Sequence, residues 1–393
     1  MMKKPVFIVL LWLTLLIIVQ TQAYSQDSIK QHHIVFNGYL KDMQTAIFSD
    51  FHADWINANL IHNRLNFKWL VSPSIAGSVE IRNRFLSGNI LTGFSDYNEQ
   101  MEKDPGFLQL SANIIDEKTY LLNVAIDRLW FAYTAEKLQV SVGRQRINWG
   151  QTFVWNPNDI FNSYSYFDFD YEERPGSDAV RVQYYPGATS VIEFAAKIND
   201  QKKTTLAGLY RFNTLNYDFQ IIGGMVDQND FVIGSGWSGQ IVKGGFRGEA
   251  SYFHPIRKMS DTTGILLASV GYDYSFKSSL FIQCEVLYSG NKQSSNDFSP
   301  RQISSSNQDA KNLFLPDYTI FSAVSYPLNP ILNGSLAGIY HPKSNLLFII
   351  PTVNISLSSN IELSFTGQLL RYFSSKADNT DLNFIYARIK GSF

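Results

Sequence analysis

The sequence predicts an all-β chain: a transmembrane antiparallel β-barrel of about 18 strands behind a cleaved signal peptide. Three observations lead there. Strands with one apolar and one polar face recur along the whole chain. The connections between them sort by length. After the N-terminal segment, no run of about 18 apolar residues appears, so no helix can span a membrane, and only helices and closed barrels do so.

Residues 1–25 are expected to be the signal peptide. Lys3 and Lys4 form its positive start, Pro5 to Val19 its apolar centre, and Ala23 and Ser25 occupy the positions a signal peptidase reads. Residues 26–393 form a single barrel domain. Its first strand falls near 34–46. Next, Arg64, Asn66 and Lys68 alternate with Leu65, Phe67 and Trp69, and after the turn Ser72-Pro73-Ser74, Glu80, Arg82 and Arg84 alternate with Val79, Ile81 and Phe85. Period two places each set on one face of a strand. Further pairs fall near 120–134 and 138–148, 178–185 and 189–197, 203–212 and 216–226, 230–240 and 242–253, 263–275 and 279–290. The last are near 313–326 and 331–340, 345–357 and 361–373, and 381–393. Each run is about ten residues, the length a tilted membrane strand needs.

Every second connection is short, among them Ala135-Glu136-Lys137, Pro186-Gly187, Phe276-Lys277-Ser278 and Ser358-Ser359-Asn360. The long ones, near 88–118, 149–177 and 291–312, all have the opposite parity. Short periplasmic turns and long outer loops produce that sorting. In the last run Ile385, Ala387, Ile389, Gly391 and Phe393 share one face, and Arg388 and Lys390 the other. The final aromatic resembles that of the terminal strand of bacterial outer-membrane barrels.

Composition agrees. Aromatic residues are 15% and charged residues only 17%, against about 25% charged in a soluble domain. A net charge of −1 argues against a nucleic-acid binder. The single cysteine, Cys284, excludes a disulfide framework and a Cys-ligated zinc site. The six histidines show no metal spacing, and no Ser, His and Asp set singles out a nucleophile. No cofactor, no metal and no enzyme activity are expected.

A barrel of this size holds an aqueous lumen. Parity places Arg64, Lys68, Glu80, Arg82, Arg84, Arg128, Arg181, Glu193, Lys243, Arg247, Glu249, Glu285, Glu362 and Lys390 inside, with basic residues in the lead. Strict alternation from Leu138, Val140 and Val142 would send Arg144 and Arg146 into lipid, and a bulge at Gly143 would turn both into the lumen. The third outer loop that follows is rich in aromatics (Phe153, Trp155, Phe161, Tyr164, Tyr166). It is expected to fold inward and narrow the bore, with Arg144, Arg146 and Arg174 facing Asp168, Asp170, Glu172 and Glu173 across a constriction.

The stretch Gly143-Arg144-Gln145-Arg146-Ile147-Asn148-Trp149-Gly150, then Trp155-Asn156-Pro157-Asn158-Asp159-Ile160-Phe161-Asn162, then Glu172-Glu173-Arg174-Pro175-Gly176-Ser177-Asp178-Ala179-Val180-Arg181, resembles a motif set of porin-like outer-membrane proteins. These are of the alginate-export and phosphate-selective porin kind, with uncharacterised relatives. The resemblance covers about 40 residues and implies a porin-like barrel in the outer membrane of a Gram-negative bacterium. The chain lacks the long, regularly spaced arginine ladder that would point to an alginate-like polymer.

Two functions follow. One is a channel for passive diffusion of small polar or anionic solutes, with outer-membrane lipid as its surroundings. The other is a loop-plugged barrel that acts as binding or assembly partner in an export or adhesion complex. A second copy or another outer-membrane protein is left open as an assembly partner.

Overall fold

The computed structural model describes residues 33–50, 52, 54–93, 96–163, 173–258, 263–292, 310–373 and 381–393. The expected signal peptide lies outside them. The strands are β1 (Ile34–Phe48), β2 (Ile56–Ser72), β3 (Ile75–Ser87), β4 (Ser111–Asp116), β5 (Tyr120–Ala135), β6 (Leu138–Gln145), β7 (Ser177–Gly187), β8 (Ser190–Ile198), β9 (Thr204–Thr214) and β10 (Tyr217–Val226). They continue as β11 (Asp230–Ile241), β12 (Gly244–Pro255), β13 (Ile265–Ser275), β14 (Phe281–Ser289), β15 (Asp317–Asn329), β16 (Leu332–His341), β17 (Leu346–Ser358), β18 (Ile361–Tyr372) and β19 (Leu382–Ser392).

All pair antiparallel in one sheet, and β1 closes it by pairing with β19 from Tyr39↔Ser392 to Phe48↔Asn383. Closure removes both edges, so every wall strand has two hydrogen-bonded neighbours. The barrel has 18 staves, because β4 is a supplement. β5 pairs with β3 along its whole length. On its other side it pairs with β6 only up to Leu129↔Arg144, and then with β4 (Ser111↔Ala125 to Asp116↔Leu121). β4 thus continues the line of β6 beyond the point where β6 leaves the wall.

The wall is uneven in height. β2 and β5 have 17 and 16 residues, β6 and β8 only 8 and 9. At about 3.3 Å per residue β2 is about 30 Å longer than β6, and β4 fills part of that difference. The long connection before β4 adds two short helices, α1 (Ile90–Gly93) and α2 (Tyr97–Glu102).

The faces sort by chemistry. Phe131, Tyr133, Val142, Val180, Phe194, Leu206, Ile221 and Ile233 point outward and are exposed on the isolated chain. This is the apolar band that lipid covers, where a charge would cost about 2–4 kcal/mol at the midplane. The inward face differs at its two ends. Towards the outer rim it is apolar, with Phe253, Leu267, Leu287, Phe321 and Phe348 almost fully buried. Towards the turns it is charged. The strand expected from residue 313 begins at Asp317, and Lys243, expected in the lumen, sits in the turn between β11 and β12.

Candidate functional site: the inward-folded segment and the arginine wall

After Gln145 the chain leaves the wall and residues 146–163 cross the lumen. Among the described residues, their hydrogen bonds to wall side chains and carbonyls reach β7, β8, β10, β11, β12 and β14. Trp149 donates its indole N–H to Glu193 at 2.7 Å, and Gln220 donates to the Trp149 carbonyl at 2.6 Å. Asn158 donates to the Ser235 carbonyl at 3.0 Å and accepts from Ser251 at 2.7 Å. Lys197 and Ser177 both donate to the Phe161 carbonyl, at 2.8 and 2.9 Å.

Two carboxylates do most of the holding. Glu249 on β12 accepts the backbone N–H groups of Gln151, Thr152 and Asn158 at 3.1, 2.9 and 2.9 Å, and the Thr152 hydroxyl as well. Glu285 on β14 accepts those of Phe153, Val154 and Trp155 at 3.1, 3.1 and 2.8 Å, with the Ser269 hydroxyl at 2.8 Å. An irregular segment has no ladder partners for its N–H groups, and each one buried without an acceptor is costly. Two carboxyl groups satisfy six of the segment's N–H groups. Around these bonds Ile147, Trp149, Val154, Trp155, Ile160 and Phe161 pack against the apolar outer half of the inner wall. Arg247 lies over the Phe153 ring at 3.7 Å. The close approach requires glycine in β11: a Cβ on Gly234 would stand 2.7 Å from Asn158 Oδ1.

The opposite wall carries arginines. Arg64 on β2 is fully buried and pairs with Glu80 at 2.5 Å, with Asp127, and with Glu173 at 3.7 Å. Arg82 on β3 pairs with the second oxygen of Asp127 at 3.0 Å. Arg84 donates to Asn123 at 2.9 Å. Asp127 and Arg128 are neighbours in sequence, yet both are buried on the inner side. The register jumps there, from Glu80↔Arg128 to Ile81↔Ile126, and leaves Asp127 as the extra residue of a β-bulge. Arg128 donates to the carbonyls of Glu173 and Arg174 at 2.8 and 2.7 Å, which ties the end of the third outer loop to the wall.

The described members of the expected constriction set are therefore spread over several groups. Arg64 and Arg82 meet at Asp127, and Glu173 approaches Arg64 at 3.7 Å. Arg181 forms a two-point pair with Glu193 (2.7 Å twice). Lys68 is exposed toward the turn end of β2. Arg146 and Arg174 act electrostatically on Asp159, together with Lys197. Asp168, Asp170 and Glu172 lie outside the described residues.

Arg144 departs from the expected bulge. The register runs without a shift through Val142↔Val180 and Arg144↔Asp178, so Arg144 stays on the outward face of Val142 despite the positive φ of Gly143 (115°). It escapes lipid because the second outer loop, the long connection between β3 and β4, covers it with its stretch between α2 and β4. Arg144 bonds Asp104 at 2.6 Å, Asp178 at 2.8 and 2.9 Å, and the Leu108 carbonyl at 2.6 Å. Gly106 packs so tightly on this group that a Cβ would meet the guanidinium. The bridge Gly106↔Asn199 fixes the same loop to the chain after β8.

No family model matches the chain, and no curated protein does. Solved structures do. OccAB1 of Acinetobacter baumannii matches with a TM-score of 0.58 and 8% identity, over 94% of this chain and 99% of that one. The outer membrane protein OpdK from Pseudomonas aeruginosa matches at 0.57 and 9%, over 92% and 98%. The fold is that of these outer-membrane barrels. OccK8 (OprE) of Pseudomonas aeruginosa agrees, at 0.57 and 8% over 92% and 98%. The likeness thus spans nearly the whole of each chain and includes the closed sheet that carries the inward-folded segment.

Asp159 gives this segment a pH dependence. Burial, against the pull of Arg146, Arg174 and Lys197, pushes its carboxyl up to about 6 from the ordinary 3.8. The folded-state value is the higher one. Between pH 7 and 5 the folded protein therefore takes up a proton that the unfolded chain does not, and stability rises as pH falls through 6. The urea midpoint of the wild type, relative to Asp159→Asn, is expected to increase from pH 7 to pH 5. An equal slope in both proteins would show that Asp159 contributes nothing.

Proposed function

We propose that this chain is an outer-membrane channel of a Gram-negative bacterium for passive diffusion of small polar solutes, with a preference for anions. The third outer loop sets its bore. The observation that carries the reading is how unevenly the inner charges are covered. Glu249 and Glu285 are each 1% exposed because loop N–H groups cap them. On the other side Arg82 and Arg84 are only partly buried and Lys68 is exposed. With Glu249 and Glu285 capped, Lys68, Arg82 and Arg84 share the open part of the lumen with the partly exposed Glu80 and Glu173, and a net positive lumen lowers the barrier for anions.

The fold neighbours support this reading, since they are outer-membrane porins for small-solute uptake. One of them, OpdK, was crystallised with vanillate, a carboxylate. The loop-plugged assembly partner is the less favoured reading on the same ground. The naming after alginate-export and phosphate-selective porins draws no support from these neighbours, which are of the Occ and OprD kind. Conductance and reversal potential in a planar bilayer test the proposal.

A further inference from the structure

Two turns at the short-turn rim carry residues that their own backbone disfavours. Leu215-Asn216 joins β9 to β10 with φ of 52° and 62°, and Val242-Lys243 joins β11 to β12 with φ of 48° and 65°. Two-residue hairpins with both central residues at positive φ favour Asn and Gly, and a β-branched residue there is an outlier. Leu215 and Val242 are also 86% and 82% exposed on the isolated chain. Conformation and hydration thus both work against them, and burial against a partner would offset both.

The surroundings identify the partner. These turns hang directly below the lipid-facing band, whose lower edge here is a run of touching aromatics. Tyr210 stacks on Phe212 at 5.2 Å, Phe212 on Phe219 at 5.9 Å, and Trp237 lies 5.7 Å from Phe246. Tyr217 reaches across to the next hairpin and donates to the Gln240 carbonyl at 2.8 Å. Each of two neighbouring turns pairs an exposed apolar residue with a lysine: Val242-Lys243 and, between β13 and β14, Phe276-Lys277. Apolar tips with a cation beside them fit the boundary between acyl chains and anionic headgroups. The earlier turns differ: Pro73-Ser74, Glu136-Lys137 and Ala188-Thr189 carry no large apolar residue.

We infer that the β9–β14 sector of the periplasmic rim is sunk into the inner leaflet and binds anionic phospholipid there, through Leu215, Val242, Lys243, Phe276 and Lys277, so the barrel sits tilted or the leaflet rises locally on this side. The sector's occupant is lipid, continuous with the lipid contact of the wall.

The test uses the full-length barrel in a Cys284→Ser background, with an environment-sensitive fluorophore on Leu215→Cys or Val242→Cys and on Pro73→Cys as the polar-sector control. The proteins are reconstituted at low protein-to-lipid ratio in phosphatidylethanolamine–phosphatidylglycerol vesicles doped with a spin-labelled phospholipid. Quenching at 215 and 242 is expected to exceed that at 73 by at least about twofold, as for a probe seated in the headgroup layer. It is expected to fall when phosphatidylcholine replaces phosphatidylglycerol, and to fall likewise with Lys243→Gln and Lys277→Gln. Equal quenching at all three positions overturns the inference. Protection that grows with protein density assigns the surface to a second copy and also overturns it. Quenching insensitive to lipid charge and to both lysines removes the anionic-lipid claim.

Discussion

Replacing Glu249 and Glu285 together by alanine is expected to raise single-channel conductance severalfold, because it frees the segment that crosses the lumen. Ordering residues 146–163 costs about 1–2 kcal/mol per residue in backbone entropy. Burial of its apolar side chains, Ile147, Trp149, Val154, Trp155, Ile160 and Phe161, returns about 1.5–3 kcal/mol each. That sum alone does not cover the ordering of eighteen residues. The hydrogen bonds decide the balance. The double variant leaves six N–H groups without acceptors, and the four that are buried cost about 1–3 kcal/mol each. The wall itself is expected to survive, since its ladder does not pass through either carboxylate. Recordings from the folded variant in planar bilayers check this; unchanged conductance would mean that the segment does not set the bore.

Neutralising arginines is expected to split into two outcomes according to where each one sits. Arg82→Gln with Arg84→Gln should shift the reversal potential toward cations, because both side chains line the inner wall around Asp127. Arg144→Gln should leave the reversal potential where it is. Its guanidinium is on the outward face and spends its bonds on Asp104, Asp178 and Leu108. Its removal leaves two carboxylates unpaired beneath the second outer loop, and breaking such a buried group costs about 3–5 kcal/mol. Thermal unfolding followed by gel mobility should show that loss. A selectivity shift in Arg144→Gln without destabilisation would place this arginine in the conduction path instead.

How far the sequence carried differs between wall and lumen. Strand faces, stave number and loop parity were legible, because each depends on a period of two and on lipid rejecting charge at one face. The inward fold of the third outer loop was legible too, from Trp155 and Phe161 in a segment too apolar for water. The anchors were not. Glu249 and Glu285 could be assigned to the inner face, but nothing local to them says that they cap loop N–H groups about 90 to 130 residues away in sequence. Asp127 left a readable trace: two adjacent charges, Asp127-Arg128, cannot alternate in a membrane strand unless one is bulged. Arg144 misled for a related reason. An arginine at a lipid-facing position suggests a bulge when the strand is considered alone, and only the long-range contact with Asp104 supplies the other solution, a loop laid over the outside of the wall.

The most direct measurement of the central claim is the reversal potential of the purified wild-type barrel in a planar bilayer under a potassium chloride gradient. A steady open-channel current with the reversal potential displaced toward chloride is the predicted result. A barrel that inserts but passes no current, or that reverses on the potassium side, would contradict it.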